Sequence, residues 1–322
     1  MPKMNHLIPR RTSDMDLYFS MMLPSAGKQG KGILCTWLGT AGVCLSDSDT
    51  GLLIDPYVSR FGPCDVAFRR PLVPDRDVIR AWARSPGRVK IRAVIVSHSH
   101  FDHVADAPLF ARETGALLVG SESTINVGRG AGLEEKQMRI ARPGQTMRFG
   151  SFSVRFLESR HGPFLMGRVP YAGDIAEPLV QPAMARDYRV GTVFSLLLRH
   201  PEGSIIHHGS AGFIPGMYDD SATDVLLLGI AGRNHTPGYV KHVAARTEPK
   251  LLIPIHADNF FRPLRKGMAL LPSIAFRKFF NECASSGSIG RIGTLAYGTP
   301  VRILPITGPD LPREALPDRP PR

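Results

Sequence analysis

The chain has 322 residues, of which 43% are hydrophobic, and a formal net charge of +12. This is enough apolar material for one large core or two modest ones and excludes bulk disorder, while the lack of any apolar run of 18 residues argues against a spanning helix. Arg10-Arg11 is followed by Thr12-Ser13-Asp14-Met15-Asp16 where a signal peptide needs apolar residues, so a cytoplasmic protein is expected. Cys35, Cys44, Cys64 and Cys283 show no Cys-x-x-Cys spacing, which speaks against a cysteine zinc site and fits reduced, mostly buried thiols. The positive charge suits either a plain basic surface or the attraction of an anionic partner.

In chain order, residues 1–31 read as an N-terminal arm, either a strap over the domain or a partly mobile segment. Residues 33–38, 43–45 and 52–55 then form three short strands separated by Gly-rich and Asp/Ser-rich turns. A Pro- and Arg-containing loop, 59–74, leads to a helix capped by Asp75 and running through Trp82. The β-branched run Ala93-Val94-Ile95-Val96 reads as a buried strand, and it ends in Ser97-His98-Ser99-His100-Phe101-Asp102-His103. Asp106 stands where a helix N-cap belongs, with Pro108 in the first turn, and capping is preferred to metal binding for it. Further strands fall at 116–119, 138–141, 146–149, 152–157, 193–198, 204–207, 225–228 and 251–255, with helices at 121–128 and 236–246. Two sets of strands with interspersed helices predict an α/β protein of two sheets packed face to face, helices outside. Residues 32–308 make one domain and 309–322 a Pro/Arg-rich tail.

The stretch from His98 to His103 holds four potential metal ligands in six residues. Neutral imidazoles and a carboxylate are the donors that zinc and similar borderline cations prefer. His98 and His100, one residue apart in a near-extended loop, can point the same way and share one metal. Asp102 and His103 then turn toward a second. The alternative is a polar loop whose histidines bond to backbone.

His-x-His-x-Asp-His after a buried strand resembles the signature of the metallo-β-lactamase-fold hydrolases, over about residues 33–306. The resemblance implies a four-layer αββα sandwich holding one or two divalent ions, zinc first, with manganese or iron as alternatives. It implies that His161, in the turn before Gly162-Pro163, completes the first site with His98 and His100. It also implies that His256, after the strand 251–255, completes the second with Asp102 and His103. Asp55 takes the place of an outer-shell carboxylate that orients ligand histidines. The family commonly has a Gly-Asp whose carboxylate bridges both metals; here Gly209-Ser210 puts Ser210 in that place, with His208 a possible substitute ligand. A hydroxyl is a much weaker ligand than a carboxylate, so the second ion is expected to be labile, and the missing negative charge favours an anionic substrate oxygen.

Around the site stand Arg233, Asn234 and His235 at the start of the late helix, and Asp258 after His256. The helix start could hold an anion, and His235 could donate a proton to a leaving group or simply cap. Phe164, Tyr171, Phe260 and Phe261 are candidates for an apolar wall. Asp102 and His235 are the expected catalytic groups. In detail the chain resembles the bacterial branch that shares features with ascorbate-6-phosphate lactonases and N-acyl-phosphatidylethanolamine phospholipase D. The expectation is a metal-dependent hydrolase of a phosphodiester or other anionic ester, a small-molecule substrate. A lactone or β-lactam opener and a non-catalytic metal-binding scaffold are the alternatives. A nuclease is disfavoured because no nucleic-acid-binding module is appended.

Overall fold

A computed structural model describes residues 13–27, 31–84, 89–163, 167–219 and 221–306. The first half runs α1 (Asp14–Ser20), β1 (Ile33–Gly39), β2 (Gly42–Ser46), β3 (Gly51–Ile54), α2 (Pro63–Ala67), β4 (Pro71–Leu72), α3 (Arg76–Ala83), β5 (Ile91–Ile95), α4 (Phe101–Val104), α5 (Ala107–Thr114), β6 (Leu117–Gly120), α6 (Glu122–Gly130) and β7 (Met138–Ile140). The second runs β8 (Thr146–Phe149), β9 (Phe152–Ser159), β10 (Ala183–Met184), β11 (Val193–His200), β12 (Gly203–His208), β13 (Val225–Gly229), α7 (Tyr239–Thr247), β14 (Leu251–Ile255), α8 (Phe276–Ser286), β15 (Arg291–Ile292) and β16 (Pro300–Leu304).

Two seven-stranded sheets result, in the orders β16-β1-β2-β3-β5-β6-β7 and β15-β14-β13-β12-β11-β9-β8. Each is antiparallel where tight turns join its strands and parallel where a helix crosses over, as between β3, β5 and β6 or between β13 and β14. The period of two divides the first sheet between two cores. Val43, Leu45, Leu52, Ile54, Ala93 and Ile95 face the second sheet, against Phe156, Phe194 and Leu196. Cys44, Leu53, Val94 and Val96 face the helices, against Ile79, Leu109 and Phe110. The fold is the expected four-layer αββα sandwich of the α/β class, with parallel strands buried on both faces.

Several expectations are refined. Asp75 caps α3, its carboxylate accepting from Val78 N at 3.1 Å. Asp106 occupies the N-cap position of α5 but makes no cap bond. Its carboxylate accepts instead from Val58 N, Ser59 N and Ser59 Oγ at 2.6–2.8 Å, three donors that outcompete one helix N–H and tie down the chain beyond Asp55. The 59–74 loop contains α2 and β4, the latter paired with β10. The late helix begins at Tyr239, not at 236, because Gly238 is left-handed and Arg233–His235 form a separate 3₁₀ turn.

The described part of the arm is a strap. Buried Tyr18 donates its hydroxyl to Leu295 O at 2.7 Å, and Asp14 accepts from Phe276 N at 2.7 Å, capping α8 from another part of the chain. The 309–322 tail and Phe164 lie outside the described residues. Among those residues no helix is long and apolar enough to cross a membrane.

Candidate metal centre

The loop after β5 is pinned before it carries any chemistry. Val96 N donates to Val119 O at 2.8 Å, Ser99 N to Val190 O at 2.9 Å, and Phe194 N to Ser97 O at 2.8 Å, so both sheets hold it. His100 is the N-cap of α4, and the first turn of that helix presents Asp102 and His103.

Two trios of donors converge at this edge of the sandwich. The ligand atoms of His98, His100 and His161 lie within 4.8 Å of one another, and so do those of Asp102, His103 and His256. The trios adjoin through His98 and His103, whose ring centroids are 3.8 Å apart. Hydrogen bonds to the far ring nitrogens select which lone pairs point inward. His100 Nε2 donates to Pro170 O at 2.9 Å, which leaves Nδ1. His161 Nδ1 donates to Gly162 O at 2.6 Å, and His103 Nδ1 to Asp55 Oδ2 at 2.9 Å, which leaves each Nε2. Ser97 Oγ donates to Asp55 Oδ2 at 2.6 Å and can therefore accept from His98 Nδ1 at 3.2 Å. His98 Nε2 is then buried with no hydrogen-bond partner in the protein. An orphaned imidazole lone pair beside two others is costly unless a cation takes it, so the donor set fits a divalent metal.

The charge states agree with that fit. Burial, helped by the neighbouring imidazoles, pushes His98 well below the ordinary histidine value, His100 to about 4 and His161 to about 3, so the first trio is neutral. Burial also opposes the charged form of His103, but the Asp55 and Asp102 carboxylates overcome it and raise His103. Asp102 is lowered in turn, because His103 and His256, its Oδ2 lying 3.2 Å from His256 Nε2, outweigh the cost of burying it.

Asp55 stands where the sequence put it, accepting also from Ser97 N at 2.6 Å. Ser210 is buried against the other turn, its Oγ accepting from Gly162 N at 3.2 Å. This contact needs glycines, since a Cβ on Gly162 would lie 2.6 Å from Ala211 O and one on Gly212 would meet the backbone of Arg160 and His161. His208 is a correction: it belongs to neither trio, and its Nδ1 shares a hydrogen bond of 2.6 Å with Tyr218 OH on the outer face of β12. Arg233 and Asn234 are corrections too. The Arg233 guanidinium bonds Glu282 and the carbonyls of Ile274 and Ala275, and Asn234 bonds Ser273 O and Lys278, so both side chains are engaged at the start of α8. His235 is exposed, on a turn that touches the site wall where Thr236 Oγ1 donates to Ala211 O at 2.7 Å. Asp258 is fully buried and pairs with Arg60, a residue the sequence reading passed over in its loop. Tyr171 flanks His100 and Phe260 lies edge-on to His256, at centroid distances of 6.3 and 5.3 Å.

Known proteins resemble this chain in sequence and in fold. A metal-dependent hydrolase of the UPF0173 group from Myxococcus xanthus is 27% identical over 249 residues, covering 76% of each chain. Another from Methanopyrus kandleri is 27% identical over 234 residues, covering 70% of this chain and 84% of its own. Among solved structures, the metallo hydrolase Igni18 of Ignicoccus hospitalis superposes with a TM-score of 0.51 at 16% identity, over 84% of this chain and 97% of that one. An isothiocyanate hydrolase from Delia radicum gut bacteria does so with a TM-score of 0.50 at 19% identity, over 84% and 99%. At such identities the superpositions speak for the fold alone. The sequence pattern of the Metallo-beta-lactamase superfamily matches residues 43–239, well over half of the chain. The chain belongs to the metallo-beta-lactamase superfamily, and its relatives there are metal-dependent hydrolases.

Proposed function

We propose that this metal-dependent hydrolase cleaves a phosphodiester or another anionic ester, with His98, His100 and His161 holding one divalent ion and Asp102, His103 and His256 a second. The observation that carries the reading is the donor set itself, five imidazoles and a single carboxylate, Asp102; the family resemblance supports it by assigning Ser210 the place of the bridging carboxylate. Two divalent ions held by so little negative charge retain a net positive field that favours an anionic substrate oxygen. A divalent ion held there would lower the pKa of bound water toward neutrality and polarise the phosphoryl or carbonyl group whose phosphorus or carbon is attacked.

The protein's own groups supply the rest. The ionised Asp102 can orient the attacking water and accept its proton. His235, on the exposed turn beside the Ser210 loop, can protonate the leaving group. Tyr171 and Phe260 wall the two sides of the centre, and this apolar rim favours a second reading, a lactone or β-lactam opener. Zinc is the ion best matched to nitrogen-rich donors, with manganese and iron next.

The test is elemental analysis of the purified protein together with hydrolysis of a chromogenic phosphodiester, a lactone and a β-lactam. Turnover of the phosphodiester in preference to the lactone and the β-lactam is expected. Preference for the lactone or β-lactam supports the second reading, and metal without turnover on any of them supports a scaffold.

A further inference from the structure

We propose that Arg60 and Asp258 form a buried positioning pair for His256, acting through the backbone of Thr40. The inference rests on the reading of His256 as a metal ligand.

Arg60 Nη1 lies 2.8 Å from Asp258 Oδ2, and both side chains are wholly buried. Asp258 Oδ1 accepts from Thr40 N at 2.8 Å, while its Oδ2 accepts from Tyr297 OH at 2.6 Å. Thr40 O accepts in turn from His256 N at 2.6 Å. Each carboxylate oxygen is committed, and the path from Arg60 to the metal-facing histidine is a chain of short contacts. The guanidinium is held by packing and charge more than by hydrogen bonds: Nη2 donates to Leu38 O at 3.3 Å, Nε and Nη1 have no hydrogen-bond partner among the described residues, and the rings of Tyr57 and Tyr297 lie 5.5 and 5.7 Å from its carbon. Gly39 leaves the room for it, since a Cβ there would overlap Nη2.

The backbone shows what this arrangement opposes. Thr40 and His256 both adopt left-handed conformations, with φ of 52° and 53°. For a β-branched residue such as Thr40 this region is strongly disfavoured, and such strain persists only where the surroundings over-determine it. A buried ion pair is weak evidence for stability, because desolvation offsets most of the attraction. Directional bonds on both oxygens of Asp258 give the pair a different use. It holds the Gly39-Thr40-Ala41 turn against the end of β14, and so fixes the point from which the His256 imidazole reaches Asp102 and His103.

The test compares two double variants in which neither charge is left alone. Arg60→Met with Asp258→Asn keeps an amide oxygen for Thr40 N; Arg60→Met with Asp258→Ala removes it. Metal-stripped protein is titrated with zinc against a chromogenic chelator to resolve two binding steps. The alanine pair should weaken the second step about 10–100-fold and leave the first unchanged, whereas the asparagine pair should stay within about threefold of wild type at both. Equal second-step affinities in the two variants overturn the proposal, whether both are weakened or both are intact. Should the alanine pair fail to melt cooperatively, Tyr297→Phe, which removes only the hydroxyl on Oδ2, decides: a several-fold weaker second step supports the proposal, and a wild-type second step overturns it. A wild-type protein that binds no second zinc fails the metal reading itself, and the positioning role with it.

Discussion

Asp55 Oδ2 accepts the Nδ1 proton of His103 at 2.9 Å, and the same carboxylate takes both the N–H and the hydroxyl of Ser97. One buried group thus sets the tautomer of a histidine in the second trio and pins the residue before His98 in the first. Asp55→Ala should therefore weaken zinc binding at the Asp102, His103 and His256 trio by about 10–100-fold. It should also destabilise the fold by about 1–3 kcal/mol through orphaned donors. Zinc competition titration and denaturant melts read the two effects, and an unchanged zinc affinity would remove Asp55 from the centre.

His100→Ala takes one donor from the first trio and leaves the sheets untouched. Hydrolysis should fall to background, while the fold keeps a cooperative melt with a stability cost of about 0.5–3 kcal/mol. Assays beside thermal melts check this. If wild type stripped of metal and the variant both lose cooperative melting, the metal is structural.

Ser210→Asp restores a carboxylate where the family has one. Occupancy should rise from about one ion toward two, because the added charge attracts both cations. KM should rise for a phosphodiester and change little for a neutral lactone. Two full ions in wild type, with neither occupancy nor KM altered in the variant, would leave Ser210 only its bond to Gly162 N.

Metal-free protein should be sensitive to mild acid. Burial holds His98, His100, His161 and His208 below the ordinary value, His100 and His208 at about 4 and His161 at about 3. Each stays neutral when folded and protonates when unfolded, so stability falls as the pH drops below about 6.5, by up to about 1.4 kcal/mol per pH unit for each group. His103 is raised, so its contribution is complete below about 6.5 and is lost only as the pH climbs through its folded value. Denaturant midpoints of chelator-treated protein that stay level from about pH 7 to pH 5 would contradict this.

What was legible in the sequence is what is local. The strand before His98 announces itself by its β-branched run, and the six-residue ligand stretch carries its own spacing. Placing His161 and His256 needed the family resemblance, because each lies on another strand end and only the sandwich brings them near. Ser210 was picked out for the carboxylate it lacks, but its bond to Gly162 N depends on two glycine-lined turns meeting in space. Arg60 had no signal at all, since an arginine in a long loop looks solvated until Asp258 is seen beside it. The same holds for α8, whose N-terminus borrows its cap from Asp14, and for β16, a strand visible only through its pairing with β1.

That last pairing bears on how the protein is made. Among the described residues β1 is the first strand made and β16 the last, yet they lie side by side, Ile33 against Leu304 and Cys35 against Val301. Until residues 300–304 have been made one edge of β1 stays open, a row of unpaired amides and carbonyls with buried-type side chains such as Ile33 and Trp37 beside it. Closure between such distant segments is slow. The nascent chain therefore passes through a stage in which this edge can pair with a neighbour, and truncation before residue 300 should send the protein to aggregates rather than to a smaller soluble domain.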